Sequence, residues 1–426
     1  MKVLFISRRF YPDITGGGQI SAYHIAKAVK SLGHDVYVLT FTTSGYKEED
    51  LDGIKVFRYP ILYVNIPLIS HFLNLEGMYL QMAYRAWRFT GRIKPDVVHL
   101  LNIESIYLTS WILRIKRIPS FATINDPCLC SVGDCVDHSG KSCLECCPSK
   151  AFACLMKKRG TPRGFGYLKR FLGSIYQVIH CWELKSSAKQ VTELFPVSRA
   201  IERLFLKNGF DGSRLKVIRN PVPIKDKTRT DLGRRLGISG KKVILYAGRV
   251  TAEKGVHLMV EAMKYIEDAV FLVVGKGSYK NVHTRYYEHL EELVRRDNLE
   301  GKVVFAGFVE HRDMGDYYSI SDLLVLPGTY YEPLSRMLLE AESYGIPVVA
   351  SDVGGNSEIV DDGRCGILLK AQDAVELAGA VKRIFGNHEV YEEMSDHCRE
   401  KIIKEFSPEK VGQDLVEEYG KYLASH

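Results

Sequence analysis

The chain has 426 residues, 46% of them hydrophobic and 26% charged, with a formal net charge of +7. That length is too great for one hydrophobic core and sets two or three domains as the expectation. The composition is ordinary for a globular protein and excludes collagen-like and disordered classes. No apolar run reaches the ~18 residues of a membrane span. The opening Met1-Lys-Val-Leu-Phe-Ile-Ser7 lacks the apolar core of roughly 7–15 residues and the small-residue cleavage site of a signal peptide, so a cytoplasmic protein is expected.

In chain order, residues 2–7 read as a buried strand. Gly16-Gly-Gly18 then leads into 20–31, whose apolar spacing is helical, and Gly33 ends it. Residues 35–41 form the next strand. Such a strand–glycine loop–helix unit brings backbone N–H groups to a phosphate. It is not the G-x-G-x-x-G dinucleotide fingerprint, and a bare glycine triplet is more often only a turn. The stretch 63–87 is rich in apolar residues.

Seven of the ten cysteines fall within 27 residues: Cys128, Cys130, Cys135, Cys143, Cys146, Cys147 and Cys154, with His138 among them. Cys143-Leu-Glu-Cys146 is a C-x2-C knuckle, and Cys128 or Cys130 with Cys135 completes four thiolates. A reducing compartment argues against disulfides. The expectation is a structural zinc drawn from Cys128, Cys130, Cys135, Cys143, Cys146 and Cys147, with an iron–sulfur cluster as rival and free thiols as the alternative.

Residues 150–189 carry nine cations and one acid, Glu183, a net +8. Phe165, Tyr167, Leu168, Phe171, Leu172, Ile175 and Tyr176 interleave with them. This pattern suits an anionic membrane surface or a solvated basic face. No nucleic-acid motif accompanies it, and no nucleic-acid partner is expected.

Asn220-Pro-Val-Pro-Ile-Lys-Asp-Lys-Thr228 reads as a linker. A second α/β series opens with the run 242–250, whose strand is followed by Arg249 near the end of the run, then Lys254 and a helix beginning at Gly255. Two cations at a strand end beside a helix N-terminus form an anion pocket, against the plain reading of two surface cations. Strand runs recur at 270–275, 302–307, 322–327, 347–351 and 366–369. Alternating strands and helices give an α/β class with doubly wound parallel sheets.

Within this series stands Glu332-Pro-Leu-Ser-Arg-Met-Leu-Leu-Glu340. Eight helical steps separate the two carboxylates by about 12 Å. That is too far for a glycosidase pair, whose carboxyls lie roughly 5–9.5 Å apart. It suits two carboxylates gripping opposite ends of one long polar ligand. Pro333 fits the first position of a helix whose free amides attract anions. The bland alternative is two solvated helix carboxylates.

The segments Asp322-Leu-Leu-Val-Leu-Pro327, Glu332-Pro-Leu-Ser335, Leu339-Glu-Ala341, Gly345 and Pro347-Val-Val-Ala-Ser351, with the G-R-x4-K-G run at 248–255, resemble the retaining GT-B glycosyltransferases of family four. The resemblance covers nearly the whole chain, and it implies two Rossmann-like domains facing across a cleft. An N-terminal acceptor-side domain would span 1–222, with the Cys-rich insertion at 126–155. A nucleotide-sugar domain would span 223–405, and a helix at 406–426 would cross back to the first. The resemblance further implies Arg249 and Lys254 on the donor diphosphate, Glu332 on a donor-sugar hydroxyl and Glu340 on the ribose. Gly16, Gly17, Gly307, Val309, Ser335 and Arg336 complete the donor contacts. No cofactor is needed for the chemistry.

Three positions depart from the pattern. Ser335 stands where Gly is usual and Glu342 where Met is common. In Phe121-Ala-Thr-Ile-Asn-Asp126, Asn125 replaces a His that commonly contacts the donor sugar; the amide keeps hydrogen bonding but loses the ring and any charge.

The expected function is transfer of a sugar from a UDP- or GDP-sugar to a glycan or lipid-linked acceptor, with peripheral docking on the inner face of the membrane. The alternatives are a nucleotide-sugar epimerase on the same scaffold and a non-catalytic sensor or binding protein using the cysteine cluster.

Overall fold

The computed structural model describes all residues except 15, 64, 66–69, 128–143, 145–146, 158–164, 278–281, 371 and 426; at 70–73, 165–166, 169 and 282–284 it describes only the backbone. Of the expected zinc ligands, Cys128, Cys130, Cys135, Cys143 and Cys146 lie outside the described residues. Cys147 is exposed. The chain divides into two units, Met1–Pro221 with Pro408–His426, and Val222–Ser407.

The first unit holds seven strands: β1 (Lys2–Ile6), β2 (Asp35–Thr42), β3 (Lys47–Leu51), β4 (Ile54–Pro60), β5 (Val97–Leu100), β6 (Ser120–Ile124) and β7 (Glu193–Pro196). Their order is β3-β4-β2-β1-β5-β6-β7. β5 and β6 are buried throughout, as parallel strands with both faces covered must be. β3 alone runs antiparallel, pairing with β4. Asp52 (φ 54°) and Gly53 (φ 79°) make the tight turn between them, the positive-φ pair that a two-residue hairpin requires.

The helix Pro408–Ser425 closes this unit. Its Val411, Leu415 and Tyr419 join the core with Val3, Phe5, Ile25 and Phe121. At Gly412 it lies so near the helix Gly17–Ser31 that an added Cβ would sit 3.0 Å from the Ala28 Cβ. The Tyr419 hydroxyl meets Nδ1 of His99 on β5, and His99 Nε2 meets the Thr123 hydroxyl at 2.7 Å. Both ring nitrogens are therefore satisfied by neutral partners in a fully buried site.

The second unit holds β8 (Lys242–Ala247), β9 (Ala269–Val274), β10 (Val303–Gly307), β11 (Leu323–Leu326), β12 (Val348–Ser351) and β13 (Gly366–Leu369). All pair in parallel, in the order β10-β9-β8-β11-β12-β13. β9, β11 and β12 are buried end to end. These are runs of Val, Leu, Ala and Phe, with Ser351 closing the last, legible as strands because alternation is not needed when both faces are covered. Among the described residues, no helix is long and apolar enough to cross a membrane.

Burial pushes the His99 imidazole from its usual 6.5 down to about 3. Between those values the unfolded chain binds a proton that the folded chain refuses. The stability from a neutral His99 is thus present above about pH 6.5 and is lost as pH falls below it. The melting temperature is expected to drop between pH 7.5 and 5, and a His99→Gln variant to show a smaller drop over the same interval; equal slopes would refute the assignment.

Candidate active site

The strand order of the second unit reverses between β8 and β11. Loops leaving two such neighbours diverge, and ligands of open α/β sheets bind in the crevice this makes at the carboxyl ends. Here the loop after β8 carries Arg249 and Lys254, and the loop after β11 runs from Pro327 to Ser335. The two are pinned together by backbone. Thr329 and Tyr330 amides donate to the Glu253 carbonyl at 2.8 and 3.1 Å. An added Cβ at Gly255 (φ 74°) would lie 2.5 Å from the Pro327 carbonyl oxygen, and one at Gly328 2.5 Å from that of Glu253. Only glycine lets the two loops approach this closely.

The Lys254 ammonium contacts Glu332 Oε1 and lies 4.3 Å from the centre of the Tyr330 ring. The side chains of the ion pair are 12% and 11% exposed. Glu332 is fixed from behind as well. The Gly355 amide donates to its carbonyl at 2.7 Å, and an added Cβ at Gly354 (φ 62°) would lie 2.1 Å from that oxygen. Arg249 is exposed, and its carbonyl accepts from the Tyr246 hydroxyl at 2.5 Å. Burial first, and the Glu332 carboxylate second, push the Tyr246 phenol well above its usual range.

Glu340 lies inside the helix Arg336–Ser343. Its Oε1 accepts from Arg336 Nε at 2.8 Å and its Oε2 from the Tyr318 hydroxyl at 2.9 Å. Burial, then Glu340, raise the Tyr318 phenol. Burial holds the nearby His311 below its usual value against the pull of Glu340. The helix begins at Arg336, not at Pro333 as the proline suggested. Glu332 to Ser335 form a turn ahead of it, so the eight residues between the carboxylates are only partly helical. Ser335 is buried with φ −67°, a backbone that any residue adopts, so serine in place of glycine is not strained. Gly307 (φ 72°) ends β10; Val309 is half-buried, and Phe308 between them is exposed.

The first unit has its own reversal, between β1 and β5. A cavity of about 240 Å³ lies there, lined by Arg8, Arg9, Gln19, Asn102 and Glu104. Arg8 pairs with Glu104 at 3.3 Å and Arg9 with Asp13 at 3.5 Å. Gly16 and Gly17 stand at the start of the adjoining helix Gly17–Ser31. Gly16 has an extended φ of −177°, and an added Cβ would meet only the Gln19 side-chain oxygen, at an ordinary 3.9 Å, so neither backbone nor packing demands glycine there. Asn125 follows β6, and its Oδ1 accepts from Asn220 Nδ2 at 2.7 Å.

The structure therefore joins Lys254 to Glu332 and Arg336 to Glu340 within the second unit, while Gly16, Gly17 and Asn125 belong to the first. The residue reading missed Tyr318, Tyr330 and His311, whose roles depend on contacts across the sheet. It also missed the pocket of Arg8, Arg9 and Asn102; the adjacent arginines directly after β1 were the available signal.

Comparison with known proteins gives a consistent picture. The family model described as Glycosyltransferase Family 4 matches residues 15–226, and that described as Glycosyl transferases group 1 matches 229–401. The chain is 24% identical to an uncharacterized glycosyltransferase of Methanocaldococcus jannaschii, with 98% of each chain covered. It is 22% identical to a glycogen synthase of Mycobacterium tuberculosis, covering 98% of this chain and 94% of that one. Two solved structures share the fold. Sucrose-phosphate synthase from Thermosynechococcus elongatus has a TM-score of 0.73 at 20% identity, with 100% of both chains covered. Anabaena HepE in complex with UDP and glucose has a TM-score of 0.71 at 18% identity, covering 99% of this chain and 100% of that one.

The packing of Gly354 against Glu332 is open to test. Gly363 shares the left-handed φ but has nothing within 4 Å of an added Cβ. Gly363→Ala is expected to cost about 1 kcal/mol of backbone strain. Gly354→Ala is expected to cost a further ~1–3 kcal/mol from the clash, read by urea unfolding. Equal losses would show that Gly354 does not position Glu332.

Proposed function

Because the chain belongs to the group 1 glycosyltransferases of the GT-B fold, we propose that it moves a sugar from a nucleoside-diphosphate sugar to a glycan or lipid-linked acceptor, with retention of anomeric configuration. The observation that carries this reading is the pair of cation–carboxylate contacts, Lys254–Glu332 and Arg336–Glu340, at the strand reversal of the second unit.

The chemistry follows from where charge develops. As the glycosidic bond to phosphate breaks, negative charge grows on the departing diphosphate. Arg249 and Lys254, with the amides at the start of the Arg336–Ser343 helix, supply positive charge to it, and donors fixed in advance cost no reorganisation in the transition state. Glu332 takes a hydroxyl of the donor sugar. An ionised carboxylate has about four acceptor sites, so contact with Lys254 leaves room for that bond. Glu340, oriented by Arg336 and Tyr318, takes the ribose hydroxyls. The turn after Gly307 at Phe308 and Val309 receives the base, and the amides of Gly16 and Gly17 approach the donor. Asn125 meets the sugar. With no carboxylate assigned as nucleophile, the leaving phosphate helps deprotonate the acceptor on the same face. A uridine or guanosine nucleotide fits this reading; the UDP-glucose complex of HepE makes UDP-sugars the first to try.

A lipid-linked acceptor is favoured by the first unit. On the helix Phe165–Ala188, Leu168, Leu172, Ile175, Ile179 and Trp182 are all exposed. Their alternating spacing of four and three places them on one face. Leu80, Tyr84 and Trp87 repeat that spacing on the helix Ser70–Ile93, also exposed. Together with the net +8 of residues 150–189, this apolar and basic surface suits an anionic bilayer.

Glu340→Ala is expected to raise the donor KM by roughly 10- to 100-fold, the worth of one or two hydrogen bonds to a charged group. Lys254→Ala is expected to lower kcat by about 100- to 1,000-fold, with partial recovery in Lys254→Arg. Unchanged kinetics with every UDP-, GDP- and ADP-sugar would refute the donor assignment. Liposomes rich in anionic lipid should co-sediment the protein at low salt, and Leu172→Glu with Ile179→Glu should abolish that; failure to sediment would refute membrane docking while leaving the donor site untouched.

A further inference from the structure

Glu342, Cys365 and Cys398 meet in the interior of the second unit, and none of them takes part in the cation–carboxylate contacts. Glu342 lies in the last turn of the Arg336–Ser343 helix, Cys365 immediately precedes β13, and Cys398 lies in the helix His388–Lys401. The three are 0%, 1% and 0% exposed. One ligand atom from each falls within 4.8 Å of the other two. Neither carboxylate oxygen of Glu342 has a hydrogen-bond partner among the described residues. A carboxylate placed this deeply without a partner is costly, and buried charges are as a rule paired or bound to metal. Asp361 and Glu405 add negative charge around it, against Lys401, and Lys401 hydrogen-bonds neither of its carboxylate oxygens.

We propose that Glu342, Cys365 and Cys398 form a binding site for one zinc ion. Two thiolates and a carboxylate suit a borderline-soft divalent ion with no redox chemistry. Three ligands of this kind are too few for an iron–sulfur cluster, which takes four. Zn–S bonds of about 2.3 Å and Zn–O bonds of about 2.0–2.2 Å set tetrahedral ligand atoms roughly 3.5–3.8 Å apart, so the site closes on the ion with shifts of about 1 Å or less. On binding, the two thiol protons and the proton that burial favours on Glu342 leave to solvent, and the metal takes both sulfur lone pairs and one carboxylate oxygen. Being buried, the site is loaded as the unit folds or opens locally.

The consequence lies in what the ion ties together. The helix carrying Arg336 and Glu340 would be clamped at its far end to β13 and to the helix His388–Lys401. Those helices already meet at Gly345, whose carbonyl accepts from the Ser395 hydroxyl at 2.7 Å. The proposal does not depend on which donor the protein uses.

The test is zinc stoichiometry by native mass spectrometry on the full chain, kept reduced, stripped of metal and titrated with Zn²⁺. Wild type is compared with Cys365→Ser, Cys398→Ser and Glu342→Gln. The cysteines of 128–154 are intact in all four proteins, so any zinc they hold cancels in the comparison. Wild type is expected to bind one zinc more than each variant, and zinc to raise its melting temperature by several degrees. Cobalt in place of zinc should give a thiolate charge-transfer band that weakens in Cys398→Ser. Glu342→Gln is near-isosteric and keeps both thiols, so it carries the test if the serine variants fail to fold. Equal stoichiometry in all proteins, or a Cys365–Cys398 disulfide that persists under reductant, would overturn the proposal.

Discussion

A parallel sheet sends the carboxyl ends of all its strands to one edge, and the reversal of strand order opens a gap at one place along that edge. Both units of this chain depend on that constraint. In the second, the gap between β8 and β11 holds Lys254 and Glu332. In the first, the gap between β1 and β5 holds the pocket of Arg8, Arg9, Gln19, Asn102 and Glu104. The topology is repeated but the chemistry is not. One gap is built around a nearly buried cation–carboxylate pair. The other presents guanidinium, amide and carboxylate groups with partial solvent access, a mixture suited to a polyhydroxylated or anionic acceptor in the transfer reading.

The Lys254–Glu332 contact is better understood as a positioning device than as a source of stability. Exposed pairs such as Arg312–Glu310, whose side chains are 77% and 58% exposed, contribute about 0–1 kcal/mol. A nearly buried pair gains more attraction but loses more hydration, and the two effects roughly offset. What the burial secures is geometry. Glycines at 255, 328 and 354 let three backbone segments close around the pair, so its orientation is fixed before any ligand arrives. Glu340 is treated in the same way by Arg336 and Tyr318. Charged groups that are already oriented act on a developing charge without first rearranging, and this is the property a leaving diphosphate requires.

Much of this was legible in the chain. The strands of the second unit are mostly apolar runs, and their ends shift by at most three residues between sequence and structure. Other features were hidden for physical reasons. β3 reads as the charged string Lys47-Glu-Glu-Asp50, because it is an exposed edge strand, and edges favour charge over β-branched residues. Its turn signal, Asp52-Gly53, was present all the same. Proline at 333 suggested a helix start, yet the backbone stays non-helical through Ser335, since tertiary contacts of Glu332 with Gly354 and Gly355 set the path there. Tyr318 reaches Glu340, and Cys365 and Cys398 reach Glu342, only through the parallel sheet. No local pattern encodes such meetings. The odd Glu at 342 was visible as a departure, but its reason required the fold.

Asn125 is the departure whose consequence follows most directly from its contacts. Histidine there would offer one nitrogen as donor and one as acceptor, and would change charge between about pH 5 and 8. The Asn125 side-chain oxygen instead accepts a bond from Asn220, within the same unit. What the amide then offers a ligand is chiefly its NH₂ group, a pair of neutral donors. In the transfer reading, the sugar atom that meets Asn125 must be an acceptor oxygen, and it meets no titrating partner. In that reading position 125 would contribute to the choice of sugar by hydrogen-bond geometry and would supply no proton to the reaction. In that same reading the acid–base work falls to the leaving phosphate and the acceptor, and the catalytic burden to Arg249, Lys254 and the helix start assigned to the diphosphate.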